Sequence, residues 1–130
     1  MGVSTRIRIL AADDDRITRR LLSVNLERWG YEPLLAGDGL EAWEMLQADD
    51  APDVVVLDWT MPGMDGIEGV SIIKEKYPEM TILMLSVYTD NEKIFDALCA
   101  GACGYLLKKT PPARIIESIR EAVGGGSPMS

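Results

Sequence analysis

At 130 residues, with 47% hydrophobic and 26% charged residues, the chain has the make-up of one soluble globular domain that buries about two-thirds of its unfolded surface. A net charge of −8 argues against a nucleic-acid-binding surface on this chain, and the lack of histidine excludes an imidazole base, a histidine metal ligand and an internal phosphohistidine. No stretch approaches the roughly 18 apolar residues of a membrane span and no signal-peptide core opens the sequence, so a cytoplasmic location without membrane contact is expected. Met1-Gly2 invites N-myristoylation, but Arg6 stands where that motif needs Ser or Thr.

The chain alternates between short apolar runs and amphipathic segments. A first strand over residues 6–12 ends in Asp13-Asp14-Asp15, and Asp15 is placed to cap a helix over 16–29 with Leu22, Leu26 and Trp29 on its apolar face. Gly30 ends that helix, a strand follows over 32–36, and Asp38 caps a helix over 39–47 carrying Leu40, Trp43 and Leu46. Asp50-Ala-Pro-Asp53 reads as a turn into a strand over 54–57, which stops abruptly at Asp58. A loop, Thr60-Met-Pro-Gly-Met-Asp65, leads to a helix over 66–76 with Ile67, Val70, Ile73 and Tyr77. Then come a strand over 81–85, a helix over 90–100, a strand over 104–107 and a last helix from Pro111 to Val123, with Thr110 expected as its N-cap. Gly124 to Ser130 has a linker-like composition. Cys99 and Cys103 read as a reduced, structural pair, because no other Cys or His could complete a zinc site.

Five strands alternating with five helices predict a doubly wound α/β fold, a parallel sheet with helices on both faces and ligands at the carboxyl ends of its strands. Those ends carry Asp13 and Asp14, Asp58, Ser86 and Lys108. Carboxylates about 5 Å apart repel by roughly 3 kcal/mol per pair at an effective dielectric near 20, so such a cluster implies a use. A hard cation with oxygen ligands is the usual one, and Mg²⁺ fits best because it is held by one or two carboxylates plus a phosphate. On this reading Asp58 is the nucleophile that forms an acyl phosphate, with Mg²⁺ held by Asp14 and Asp58 with help from Asp13. Ser86 donates a hydrogen bond to one phosphoryl oxygen and Lys108 pairs with another.

The segments Ile9-Leu-Ala-Ala-Asp13-Asp-Asp15, Asp53-Val-Val-Val-Leu-Asp58-Trp-Thr-Met-Pro-Gly-Met-Asp-Gly66, Ile82-Leu-Met-Leu-Ser86 and Gly101-Ala-Cys-Gly-Tyr-Leu-Leu-Lys108 resemble the receiver domain of bacterial two-component response regulators. The resemblance runs to about residue 123, and the loop after Asp58 is highly specific. It implies a flavodoxin-like fold with strand order 2-1-3-4-5 and phosphotransfer from a histidine kinase's phosphohistidine, or from a phosphotransfer protein, to Asp58. It also implies that the Thr60 backbone carbonyl is a third protein ligand to Mg²⁺, and that Ser86 and Tyr105 form a switch pair beside Lys108. Ala12 replaces a bulkier valine, and Lys109 follows Lys108 where the family often has a proline in a cis peptide. Lys-Lys-Thr-Pro-Pro and the Gly-Gly-Ser-Pro-Met-Ser ending resemble the subfamily whose receiver precedes a LuxR-like helix-turn-helix. Residues 1–123 are then a receiver domain and 124–130 the start of a linker to an output domain that binds DNA and controls transcription. A homodimer formed on phosphorylation is a further expectation.

The leading function is therefore a phosphoacceptor switch that catalyses its own phosphorylation and dephosphorylation and turns over no external substrate. A receiver fold used purely as a protein-interaction module is the alternative, and the clustered like charges weigh against it. An aspartyl phosphatase forms the same acyl phosphate, but that pattern wants an aspartate where Thr60 stands.

Overall fold

The computed structural model describes residues 6–48, 51–61 and 64–124, with the backbone alone for Thr60, Met61 and Met64. The expectations that fall on Met1-Gly2, Asp50, Pro62-Gly63 and 125–130 lie outside the described residues. Five strands, β1 (Arg8–Ala12), β2 (Glu32–Ala36), β3 (Val54–Asp58), β4 (Thr81–Ser86) and β5 (Gly104–Leu107), form one sheet in the order β2-β1-β3-β4-β5. Every pairing in that sheet is parallel. A short antiparallel ribbon pairs Thr60–Met61 with Met64–Asp65 directly after β3. Helices α1 (Arg16–Arg28), α2 (Gly39–Gln47), α3 (Gly66–Lys76), α4 (Asn91–Ala100) and α5 (Pro112–Val123) fill the connections. This is the flavodoxin-like architecture expected from the sequence.

Side chains alternate across each strand, so the sheet feeds two cores. Leu10 and Ala12 of β1 join Val55, Leu57, Ile82 and Met84 beneath α2, α3 and α4. Ile9 and Ala11 join Val54, Val56, Leu83 and Leu85 beneath α1 and α5, where Leu22, Leu26, Ile115, Ile116 and Ile119 close the layer. All five residues of β3 are buried, as befits the central strand of a sheet covered on both sides.

Local chemistry sets the element ends. Asp15, Asp38 and Asp65 each accept main-chain N–H groups at a helix start. Gly30, at φ 86°, ends α1 in the left-handed region, and the Tyr31 N–H reaches back to the Leu26 carbonyl.

Three expectations need correction. Thr110 is not the N-cap of α5: Pro111 holds that position with ψ 140°, and no side chain caps the helix. The physical cause is Pro112, because a residue preceding proline is pushed out of the helical region into extended backbone. Trp29 does not join the apolar face of α1; it is half exposed, at the helix end, and Arg120 of α5 lies 4.0 Å over its ring. Leu40 is likewise exposed, leaving Leu46 and half-buried Trp43 to anchor α2. No cis peptide occurs among the described residues, so the bond from Lys108 to Lys109 is trans.

Candidate functional site

The parallel order delivers four strand ends to one edge of the sheet. Asp13 follows β1 and donates its N–H to the Ala36 carbonyl at 3.0 Å, which fixes the turn beside β2. Asp58 and Ser86 are the last residues of β3 and β4, and Lys108 follows β5, donating its N–H to the Ser86 carbonyl at 2.8 Å. Asp13, Asp58 and Ser86 are the buried polar residues among those described. The four groups singled out at the strand ends are thus brought together.

Carboxylate oxygens of Asp13, Asp14 and Asp58 all lie within 4.8 Å of one another. The Lys108 ammonium reaches between two of them, 3.1 Å from Asp13 Oδ2 and 3.1 Å from Asp58 Oδ2. One ammonium among three carboxylates leaves the cluster short of positive charge. Burial pulls the lysine's pKa down, but its hydrogen bonds with Asp58 and Asp13 outweigh that and hold it above its ordinary value.

The carboxylates differ in what surrounds them. Asp13 Oδ1 accepts the Asp15 N–H at 2.8 Å, while buried Oδ2 has only the nearby ammonium and no aligned hydrogen bond. Asp14 is exposed. Asp15 turns toward α1, accepting from the Thr18 hydroxyl at 2.6 Å and the Ile17 N–H at 3.2 Å. Those two contacts, in that order, hold its carboxyl below the ordinary range. Asp15 is a helix cap rather than a fourth member of the cluster.

Next to Asp58, Trp59 packs edge-on against Tyr88 at 5.5 Å and against Tyr105 at 6.2 Å. Ser86 Oγ accepts the Tyr88 N–H at 2.9 Å, and the Tyr105 hydroxyl donates to the Tyr88 carbonyl at 2.9 Å. Burial raises the Tyr105 phenol above its ordinary pKa, with smaller contributions from Asp90 and Tyr88.

Over residues 9–120 the chain matches the response regulator receiver domain. This chain belongs to that family.

A chemotaxis protein CheY homolog of Campylobacter jejuni is 32% identical over 124 residues, covering 93% of this chain and 95% of that protein. The oxygen regulatory protein NreC of Staphylococcus epidermidis is 35% identical over 122 residues, covering 92% of this chain but 56% of NreC. Among solved structures, a LuxR-family two-component response regulator from Aurantimonas superimposes with a TM-score of 0.85 at 31% identity, covering 95% of this chain and 89% of that one. Receiver domains are signalling domains, and among the described residues no helix is long and apolar enough to cross a membrane.

Two residues of this receiver domain escaped the sequence reading. Arg19 donates from Nη1 to the Asp13 carbonyl at 2.7 Å, and Lys93 of α4 sits 4.6 Å over the Tyr88 ring and 5.7 Å over Trp59. Both belong to charged helix faces that read as solvated, and Asp13 and Tyr88 lie only a few residues upstream, across a loop where helical spacing carries no signal. No periodicity or motif marks them.

Proposed function

We propose that this receiver domain takes a phosphoryl group from a phosphohistidine of a sensor histidine kinase, or of a phosphotransfer protein, onto Asp58. The phosphorus–nitrogen bond of the donor breaks, an oxygen–phosphorus bond to an Asp58 carboxylate oxygen forms, and the donor imidazole keeps the electron pair. The observation that carries this reading is the Lys108 ammonium, 3.1 Å from Asp58 Oδ2, at a buried carboxylate on a strand end. There it pairs with negative charge on the incoming group, and Ser86 offers a hydroxyl from the adjoining strand.

The residues fit a divalent hard cation. Their donors are all oxygen, the charge balance favours a cation, and Asp13 Oδ2 is a buried oxygen without an aligned hydrogen bond. Asp13, Asp14, Asp58 and the Thr60 backbone carbonyl are the proposed ligands. Bound Mg²⁺ supplies charge neutralisation on the transferring phosphoryl group. Asp14, being exposed, keeps the site open to water, which points to millimolar rather than nanomolar affinity.

The added charge, roughly two units, drives the switch through Ser86 and Tyr105 to an output. Residues 1–123 act as the receiver, and the linker-like 124–130 leads toward a DNA-binding output that regulates transcription. The longer NreC and the LuxR-family likeness support that arrangement. Dimerisation on phosphorylation, and cytoplasmic action, complete the reading.

Incubation with acetyl phosphate and Mg²⁺, followed by intact-mass measurement, tests it. The wild type should gain one phosphoryl mass and Asp58→Asn none. A wild type that stays unlabelled, or an Asn variant that still labels, overturns the assignment.

A further inference from the structure

Beyond its ion pair with Lys108, the buried Asp13 is held at three points. Its N–H goes to the Ala36 carbonyl at 3.0 Å, its Oδ1 takes the Asp15 N–H at 2.8 Å, and its carbonyl takes Arg19 Nη1 at 2.7 Å. The third is a charge-assisted bond from a side chain on α1, half-buried and six residues away. The guanidinium rests in a defined seat. A Cβ built on Gly37 would stand 2.9 Å from Arg19 Nη1 and 3.5 Å from its Cζ, so a side chain there makes the guanidinium tip shift. Gly37 is itself fixed, because its N–H donates to Glu41 Oε1 at 2.7 Å while the Glu41 N–H is capped by Asp38 at 2.8 Å. A packed, hydrogen-bonded guanidinium thus joins α1, the end of β1 and the loop from β2 to α2 behind the acidic cluster.

We propose that Arg19 is a positioning residue, seated against Gly37, that fixes the Asp13 main chain and so sets where the Asp13 and Asp14 carboxylates stand. Arg19 acts through the main chain of a carboxylate residue, as groups behind a ligand shell do. Its charge works in the opposite sense, because a cation near the cluster repels a second one. That opposition separates position from electrostatics. If charge alone matters, Arg19→Ala binds Mg²⁺ more tightly; if position matters, it binds Mg²⁺ more weakly.

The Mg²⁺ part of the test rests on the cation-site reading above; the exchange part does not. In metal-free buffer, amide hydrogen exchange at Asp13 and Asp15 should speed up in Arg19→Ala and stay at the wild-type rate in Arg20→Ala. Arg20, the exposed neighbour, removes an equal charge without touching Asp13. In a tryptophan-fluorescence titration, Arg19→Ala should weaken Mg²⁺ binding about tenfold, and Arg19→Lys should recover part of the loss. Gly37→Ala keeps the arginine but displaces its tip, so it should weaken Mg²⁺ binding in the same direction, by less than Arg19→Ala and without any change of charge. Arg19→Ala and Gly37→Ala that exchange and bind Mg²⁺ like the wild type, or more tightly, overturn the proposal. A wild type with no saturable Mg²⁺ response instead refutes the cation site, and the exchange rates alone then decide the role of Arg19.

Discussion

Tyr105 donates its hydroxyl to the main-chain carbonyl of Tyr88 at 2.9 Å, tying β5 to the loop that follows β4. The N–H of the same Tyr88 is held by Ser86 Oγ, also at 2.9 Å. One loop residue is therefore gripped from both sides by the two members of the expected switch pair. If the Ser86 hydroxyl turns toward a phosphoryl group on Asp58, Tyr88 loses its acceptor, and its carbonyl no longer stays fixed under Tyr105. On the proposed switch, a two-state repacking of α4, β5 and α5 would start from those two bonds.

Ser86→Ala should accept phosphate at Asp58 yet lose most of the accompanying change in amide exchange. Tyr105→Phe should speed exchange in the loop after β4 before any phosphorylation, because it removes the Tyr88 tether. Hydrogen exchange over residues 86–110, with and without phosphorylation, checks both. Matching responses in the wild type and Ser86→Ala would rule the coupling out.

Much of this was legible in the sequence because strand ends are. Runs such as Val54-Val-Val-Leu57 have one stable place, inside a parallel sheet, and the residue after such a run must emerge at the carboxyl edge. Asp13, Asp58, Ser86 and Lys108 were readable for that reason. Helix surfaces were not. Trp29 carries the right spacing for the α1 core but lies at the helix end, where Arg120 covers it. The Thr110 cap failed because two prolines compete for the same helix start, and the constraint from Pro112 on Pro111 wins. Arg19 and Lys93 meet Asp13 and Tyr88 across the loops that precede their helices, where the loop geometry sets the contact and no sequence pattern marks it.

Lys108 is the counter-ion of the metal-free cluster, so its loss leaves two buried carboxylates without it. Lys108→Met should destabilise the protein by about 2–3 kcal/mol, at the low side for a broken buried pair because the ammonium keeps some contact with water. Millimolar Mg²⁺ should restore part of that. The folded-state pKa is raised above the ordinary lysine value of 10.5, so the lysine's contribution is complete below that pH and lost as pH climbs through the folded value. Tyr105, also raised, acts in the same direction. Thermal melts of the wild type and Lys108→Met should therefore converge only in strong alkali. A gap that closes near neutral pH would contradict the ion-pair account.

Gly66 opens α3 where the chain crosses its own backbone. Its N–H donates to the Trp59 carbonyl at 2.8 Å, and a Cβ there would stand 2.7 Å from Trp59 Cα and 2.8 Å from that oxygen. Both obstacles are main chain, so no rotamer change relieves them. Gly66→Ala must push Trp59 away and disturb the carboxylate just before it. A loss of about 1–3 kcal/mol, as for other overpacked sites, should accompany slower labelling by acetyl phosphate. An alanine variant with wild-type melting and labelling would mean that the backbone yields at no cost.

Tyr88 packs as more than a surface aromatic. Its ring meets Trp59 edge-on at 5.5 Å, with Trp59 directly following Asp58, and the Lys93 ammonium sits 4.6 Å over it. Two rings and a cation therefore cluster at the residue that follows the carboxylate proposed to carry the phosphoryl group. An attacking water must reach that phosphorus, and we propose that the packed Tyr88 ring hinders its approach. Tyr88→Ala opens the approach while leaving the Tyr88 main-chain bonds to Ser86 and Tyr105 possible, so the switch contacts survive the change. Its acyl phosphate should decay several-fold faster than the wild-type one, with the initial labelling rate little altered. Lys93→Ala should shorten the lifetime less, since it removes the cation but keeps both rings. Following the decay of phosphorylated protein by intact mass after acetyl phosphate is removed gives the answer. A Tyr88→Ala lifetime equal to or longer than wild type would mean that the ring does not shield Asp58.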